Sequence, residues 1–261
     1  MSKPARYAQP DRRPAVVTGA SSGIGAATAE ALAARGFPVA LGARRADRLE
    51  ELATRIRDAG GEAVAHSLDL TDAASVEAFA AKVTADLGEV EVVVSNAGSL
   101  SPGRIHEADP ELFSRHLDLN IVGAQRLCRT FLPGMLERQR GDICFVSSDV
   151  AVRARPFMTS YAAGKWGLEG MVHALQMELE GTGVRASLVR PGPTHSEMGS
   201  DWTPDEVDMV INGWVKFGHA RHQHFLKPTA LAEAISTVVS APRGVHLNLV
   251  EVNPEAPVEE R

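Results

Sequence analysis

Short apolar runs of four to seven residues recur along this chain, each followed by a longer stretch that is rich in alanine or carries apolar residues at helical spacing. The runs are Ala15–Thr18, Pro38–Gly42, Glu62–Ser67, Glu91–Ser95, Asp142–Ser147 and Val184–Arg190, and most end at Gly, Asn, Asp or Ser. Valine-rich runs closed by turn residues read as strands. Helices are expected between them: from Gly25 to about Arg35, from Ala46 to Ala59, and from a cap at Thr71 or Asp72 to about Leu87. A long one is expected from Asp109-Pro110 to about Gln139, and another opens at Tyr161. Pro110 suits a first helical position, where its missing N–H costs nothing. Strands alternating with helices predict an α/β fold around a parallel sheet.

Composition narrows the picture. With 261 residues, 44% of them hydrophobic, and 23 glycines, the chain can bury a large core as one domain. A net charge of −6 and the absence of a long Lys/Arg cluster give no attraction to nucleic acid or to anionic membranes. Cys128 and Cys144 fall inside a helix and a strand without metal-ligand spacing, which fits buried thiols and a reducing cytoplasm. Residues 1–13 contain Lys3, Arg6, Arg12 and Arg13 but no apolar segment, so they are expected to form a flexible tail, neither signal peptide nor anchor. The domain is expected over residues 14–261.

The strand ends carry the chemistry. Ala15–Thr18 breaks into Gly19-Ala20-Ser21-Ser22-Gly23-Ile24-Gly25, a strand–glycine turn–helix sequence. Glycines let backbone approach a pyrophosphate, whose charge then faces the N–H groups and positive dipole end of the new helix. The second strand ends at Ala43-Arg44-Arg45, where a dinucleotide fold meets the adenosine ribose. A carboxylate there would favour NAD, whereas guanidinium groups suit a 2′-phosphate, so NADP(H) is the expected cofactor. Arg44 is the first choice for that contact; Arg45 either joins it or solvates the next helix. Asp69, beside Leu70, is free to accept from an adenine amino group or else serves as a turn aspartate. Asn96-Ala97-Gly98 closes the fourth strand with small residues against which a cofactor can lie.

A second constellation follows the fifth strand. Ser148 ends an apolar run, and Tyr161 and Lys165 come four apart on the next helix, one turn above each other on one face. An adjacent ammonium favours the phenolate of a tyrosine, and a serine hydroxyl can hold a carbonyl oxygen while a proton moves. Asn120 stands inside the long helix among apolar neighbours, where a buried amide must find partners; it either holds a water or kinks the helix. Pro191-Gly192, Thr194 and Ser196 follow the sixth strand. All the strand-end groups fall past carboxyl ends, the edge where open parallel sheets place their ligands.

Thr18-Gly19-Ala20-Ser21-Ser22-Gly23-Ile24-Gly25, Asn96-Ala97-Gly98, Asn120, Ser148, Tyr161-x-x-x-Lys165 and Pro191-Gly192 together resemble the motif set of the short-chain dehydrogenase/reductases, over roughly residues 14–253. The resemblance implies a doubly wound, mostly parallel seven-stranded Rossmann sheet and an Asn–Ser–Tyr–Lys catalytic tetrad. Tyr161 would be the general acid or base, and Ser148 would orient the carbonyl. Lys165 would bind the nicotinamide ribose and lower the tyrosine pKa, and Asn120 would keep a water for proton relay. Thr194 and Ser196 match positions that touch the nicotinamide end or the phosphates. A homodimer or homotetramer built on the helices near Asp109 and Thr159 is also implied. Ser95 replaces the first asparagine of the usual Asn-Asn-Ala-Gly, and the ending from His246 to Pro254 is more similar to members acting on small 3-hydroxy acids than to many acyl-carrier-protein ketoreductases.

The segment 194–227 is expected to cover a small carbonyl or alcohol substrate. Met198, Trp202, Met209, Ile211, Trp214 and Phe217 supply apolar surface for it, although Val207, Val210, Ile211 and Trp214 also read as the buried stripe of a short helix. His219, His222 and His224 are expected at the surface or an interface, not on a metal. Against an NADP(H)-dependent carbonyl reductase or alcohol dehydrogenase stand a non-catalytic nucleotide-binding sensor or scaffold, which has no need of Tyr161 and Lys165 together, and an acyl-carrier-protein ketoreductase. A sugar-nucleotide epimerase would need a longer C-terminal region.

Overall fold

A computed structural model describes residues 12–219 and 224–257. Seven strands form one sheet: β1 (Ala15–Thr18), β2 (Val39–Ala43), β3 (Ala63–Ser67), β4 (Val92–Ser95), β5 (Gly141–Val146), β6 (Val184–Pro191) and β7 (Leu249–Val252). Their order is β3-β2-β1-β4-β5-β6-β7, and every pair is parallel. The chain leaves β1 toward β2 on one side and resumes at β4 on the other, so a crevice opens past Thr18 and Ser95.

Successive side chains of a strand point to opposite faces. Ala15 and Val17 of β1 therefore pack into one core and Val16 into the other; Cys144 and Val146 of β5 divide in the same way from Ile143 and Phe145. Helices α1 (Gly23–Ala34), α2 (Ala46–Asp58) and α8 (Pro228–Ser240) bury their apolar stripes on the first face. On the second lie α3 (Ala73–Leu87), α5 (Gly123–Glu137) and α6 (Thr159–Glu178). This is the doubly wound Rossmann fold, as a single domain.

Three expectations are corrected. The helix from Asp109 to Gln139 is α4 (Pro110–Leu117), a π-turn over Asp118–Val122, and then α5. A π-turn widens the helix by one residue, and Asn120 sits in it. The tail does not extend to residue 13. Arg13 is buried, donating to the Val239 carbonyl at 2.7 Å and pairing with Asp142, while Arg12 pairs with Glu62 at 2.6 Å. Residues 1–11 lie outside the described part. In α7 (Pro204–Lys216), Val210 and Gly213 are buried but Val207 and Ile211 are exposed, so the stripe runs along a different line from the one expected.

Candidate active site

Thr18 ties the first two turns of the crevice together. Its Oγ1 accepts the backbone N–H of Asn96 at 3.0 Å and of Ala97 at 3.1 Å, and its carbonyl accepts the Asn96 amide at 2.9 Å. A Cβ on Gly25 would stand 2.6 Å from Asn96 Nδ2, so a residue without a side chain is required for α1 to begin against that turn. Over the joint lies a cavity of about 480 Å³. Gly19, Ser21, Ser22, Gly23 and Ile24 line one side, at the N-terminus of α1. Arg44, Arg45, Asp69 and Leu70 line a second side, and Asn96, Ala97 and Gly98 a third. Ser196 reaches it from the segment after β6. The space above Gly23 is open, with only Ser196 Cβ near, at 3.5 Å. An elongated cleft with a helix N-terminus midway and arginines at one end fits a phosphorylated dinucleotide.

The two arginines differ. Arg45 donates to Ser21 Oγ at 2.9 and 3.1 Å, to Ser22 Oγ at 2.7 Å and to Glu197 at 2.7 Å. Arg44 lines the cavity with no hydrogen bond or ion pair to a described residue. Asp69 Oδ1 accepts both the N–H and the hydroxyl of Thr71, at 2.9 and 2.7 Å, so the turn role and the cavity position coexist. Those bonds hold its carboxyl below the usual range. Pro191, Gly192 and Thr194 do not line the cavity. Gly192 donates its N–H to Val252 in β7 at 2.8 Å, and Thr194 Oγ1 donates to the Gly192 carbonyl at 2.8 Å.

Ser148, Tyr161 and Lys165 meet past the end of β5. The Ser148 hydroxyl caps the turn at Asp149–Ala151, accepting from Val150 N–H at 3.3 Å and donating to Asp149 Oδ1 at 3.3 Å, on the side of the Tyr161 phenol. Lys165 donates to the Val146 carbonyl at 2.8 Å, with its Nζ 5.6 Å from the Tyr161 ring centroid. Asn120 joins them through the backbone: its amide donates to the Ser99 carbonyl at 2.9 Å and accepts Ser99 N–H at 3.3 Å. The π-turn can press this close to α6 because residue 164 is glycine, where a Cβ would stand 3.1 Å from Asn120 Cβ.

The net shift of the phenol is upward, opposite to what an adjacent ammonium alone would give. Burial pushes Tyr161 up to about 12; the Ser148 hydroxyl opposes this, Asp149 adds to it and Arg155 opposes it. The ammonium stands over the ring face and is spent on Val146, not on the phenol oxygen. Burial also lowers Lys165 to about 8, against the pull of Glu169 one turn further along α6. Glu169 is itself held by Arg190, at 2.7 and 3.0 Å, and by Ser147 at 2.6 Å.

Sequence reasoning missed two residues over the tyrosine, Asp149 and Arg155, and named the third, Trp214, only as apolar cover. Asp149 pairs with Arg155, whose guanidinium lies 4.5 Å from the Trp214 ring, and Trp214 of α7 packs on the cluster of Val150, Met158 and Tyr161. The available signal was a carboxylate directly after Ser148 and an arginine six residues before Tyr161. Of the three histidines, His219 caps the end of α7 through its backbone, His224 Nδ1 lies 3.0 Å from the Glu255 carbonyl, and His222 falls outside the described residues. Both cysteines are buried, their thiols pushed up to about 12. Among the described residues no helix is long and apolar enough to cross a membrane.

A Rossmann sheet whose crevice brings a glycine turn, a serine, a tyrosine and a lysine together defines a class of nucleotide-dependent oxidoreductases, and comparison with known proteins places the chain within it. The family model described as short chain dehydrogenase matches residues 13–207. This protein belongs to the short-chain dehydrogenase/reductase family. It is 35% identical over 240 residues to glycine betaine reductase ATRR of Emericella nidulans, covering 92% of this chain but only 18% of that protein. The alcohol dehydrogenase of the archaeon Thermococcus sibiricus, solved with 5-hydroxy-NADP, superposes with a TM-score of 0.81 at 33% identity over 96% of this chain and 100% of that one. A variant of actinorhodin polyketide ketoreductase, solved with NADPH, gives 0.81 at 30% identity over 95% and 98%.

Proposed function

We propose that this oxidoreductase is an NADP(H)-dependent carbonyl reductase or alcohol dehydrogenase acting on a small apolar or 3-hydroxy-acid-like substrate. The observation that carries the reading is the meeting of Ser148, Tyr161 and Lys165 past β5, braced by Asn120, beside a cleft whose far end holds Arg44, which pairs with no described residue. NADP-bound relatives of the same fold support the choice of cofactor. When bound, the dinucleotide supplies or takes the hydride.

The protein's own residues handle the proton and the geometry. Tyr161, protonated at neutral pH, gives its phenolic proton to the carbonyl oxygen as the alcohol forms. Ser148 donates to that same oxygen and fixes its distance from the phenol. Lys165 places a positive charge beside the phenolate left behind. Asn120 holds the loop after β4 through Ser99, so that Gly98 and the phenol keep their separation. Trp214 covers the site and excludes water. Trp166 and Met177, exposed on α6, supply apolar surface for a homo-oligomer.

Following NADPH oxidation against a panel of ketones and aldehydes tests the reading. Tyr161→Phe keeps the ring and removes the transferable proton, which is expected to cost about 10²–10⁴ in rate. A variant that keeps most of its activity would overturn the assignment.

A further inference from the structure

Glu197 sits where nothing in the motif set calls for a carboxylate. It follows Ser196 on the segment leading from β6 to α7, and it lines the same cavity as Arg44 and Arg45. One of its oxygens accepts from Arg45 at 2.7 Å, the other from Arg48 at 2.6 Å. Arg45 in turn donates to Ser21 and Ser22 of the glycine turn. Arg45, which lines the cavity, and Arg48, which does not, thus hold one carboxylate at the adenosine end of the cleft, while the two serine hydroxyls accept from Arg45. A guanidinium pair of this kind is what a phosphate monoester needs, because guanidinium forks recognise phosphate and carboxylate oxygens through the same charge-assisted geometry.

We infer that Glu197 is a selectivity-determining residue: an internal anion that competes with the cofactor's 2′-phosphate for Arg45 and Arg48 and so moderates the preference for NADP(H) over NAD(H). This rests on the NADP(H) reading above. Arg44 lines the cavity without a hydrogen bond or ion pair to a described residue, whereas Arg45 and Arg48 become available only when the carboxylate is displaced. The pairs are solvent-exposed, with side chains 42 to 46% accessible, and pairs of that kind hold weakly enough to be exchanged. Glu197 is held down to about 2 by these two arginines, so its charge is constant over the working pH range. Because Glu197 stands at the head of the segment that carries α7, its displacement also frees that segment from the glycine turn.

Calorimetric titration with adenosine 5′-monophosphate and adenosine 2′,5′-bisphosphate, which differ only in the 2′-phosphate, separates the possibilities. Glu197→Gln removes the charge and keeps the shape. It is expected to tighten the bisphosphate about three- to tenfold and to leave the monophosphate within about twofold. NADPH and NADH should follow the same split. Unchanged or weaker binding of the bisphosphate would overturn the inference and leave Glu197 an ordinary surface partner. A wild type that binds both nucleotides alike, with Glu197→Gln gaining the preference, would keep the competition and overturn the NADP(H) reading; no preference in either protein overturns both.

Discussion

Tyr161 keeps its proton through neutral pH because burial disfavours its anion, while Lys165, buried beside it, sheds its own proton near pH 8. Reduction needs a protonated phenol and a charged lysine. The phenol meets its condition at every pH below about 12, the lysine only below about 8. The kcat/KM for carbonyl reduction is therefore expected to stay level up to about pH 8 and to fall about tenfold per unit above it, reporting the free enzyme. Lys165→Arg, whose guanidinium stays charged, should lose that alkaline limb; the same limb in the variant would assign it to another group. At the other end of the cleft, Arg44, which pairs with no described residue, is expected to contribute roughly 1.5–3 kcal/mol to 2′-phosphate binding. Arg44→Ala should weaken NADPH about ten- to a hundredfold and spare NADH, and equal weakening of both would make Arg44 a general phosphate residue. The residue types of both constellations were legible in the sequence, since glycine turns and a tyrosine–lysine pair are local patterns. Who holds whom was not, because Asp149–Arg155 under Trp214 and Arg45–Glu197 join residues that only the fold brings together.

At the scale of elements, strand ends were legible to within about a residue because valine runs stop at turn residues. The π-turn was not: its sequence, Asp118 to Val122, keeps helical periodicity on both sides, and the extra residue shows only in the backbone. Its consequence is local to the site. Asn120, 2% exposed, spends both ends of its amide on Ser99 and so fixes the loop that follows β4. Asn120→Ala leaves those part-buried backbone groups of Ser99 without their side-chain partner, at a cost of about 1–3 kcal/mol. In a protein of this size that corresponds to a drop of about 2–12 °C in Tm, at about 2–4 °C per kcal/mol. Turnover should fall in the same variant because the loop is no longer held against Lys165. A melt and a rate both at the wild-type level would remove Asn120 from the positioning role. The α7 stripe failed for a related reason: Val207 and Ile211 carry the right spacing, but the chain turns α7 so that Gly213 and Trp214 meet the loop at Phe157 and Arg155.

Over the whole molecule the two edges of the sheet divide the work. Every group of the candidate site lies past the carboxyl ends of the strands, whereas the amino ends are closed by buried ions that have no part in it. Asp142, at the start of β5, takes Arg13 on one carboxylate oxygen and Arg185 of β6 on the other, the latter at 2.6 Å. Arg185 also donates to carbonyls of Ala241, Pro242 and Val245, so one carboxylate ties the N-terminal approach, two central strands and the exit of α8 together. Such a cluster is sound while complete, but removing the Asp142 charge leaves two buried guanidinium groups without the carboxylate they both bond. Asp142→Asn is expected to cost about 3–5 kcal/mol. The expected fall in Tm is about 6–20 °C, again at about 2–4 °C per kcal/mol. Below its melting temperature the variant should keep wild-type kcat/KM, because the site lies at the opposite edge. Thermal denaturation beside a steady-state assay at a temperature where both proteins are folded checks both halves: a Tm within a degree or two of wild type would show that Arg13 and Arg185 find other partners, and a lost rate in a folded variant would show that the edges are coupled.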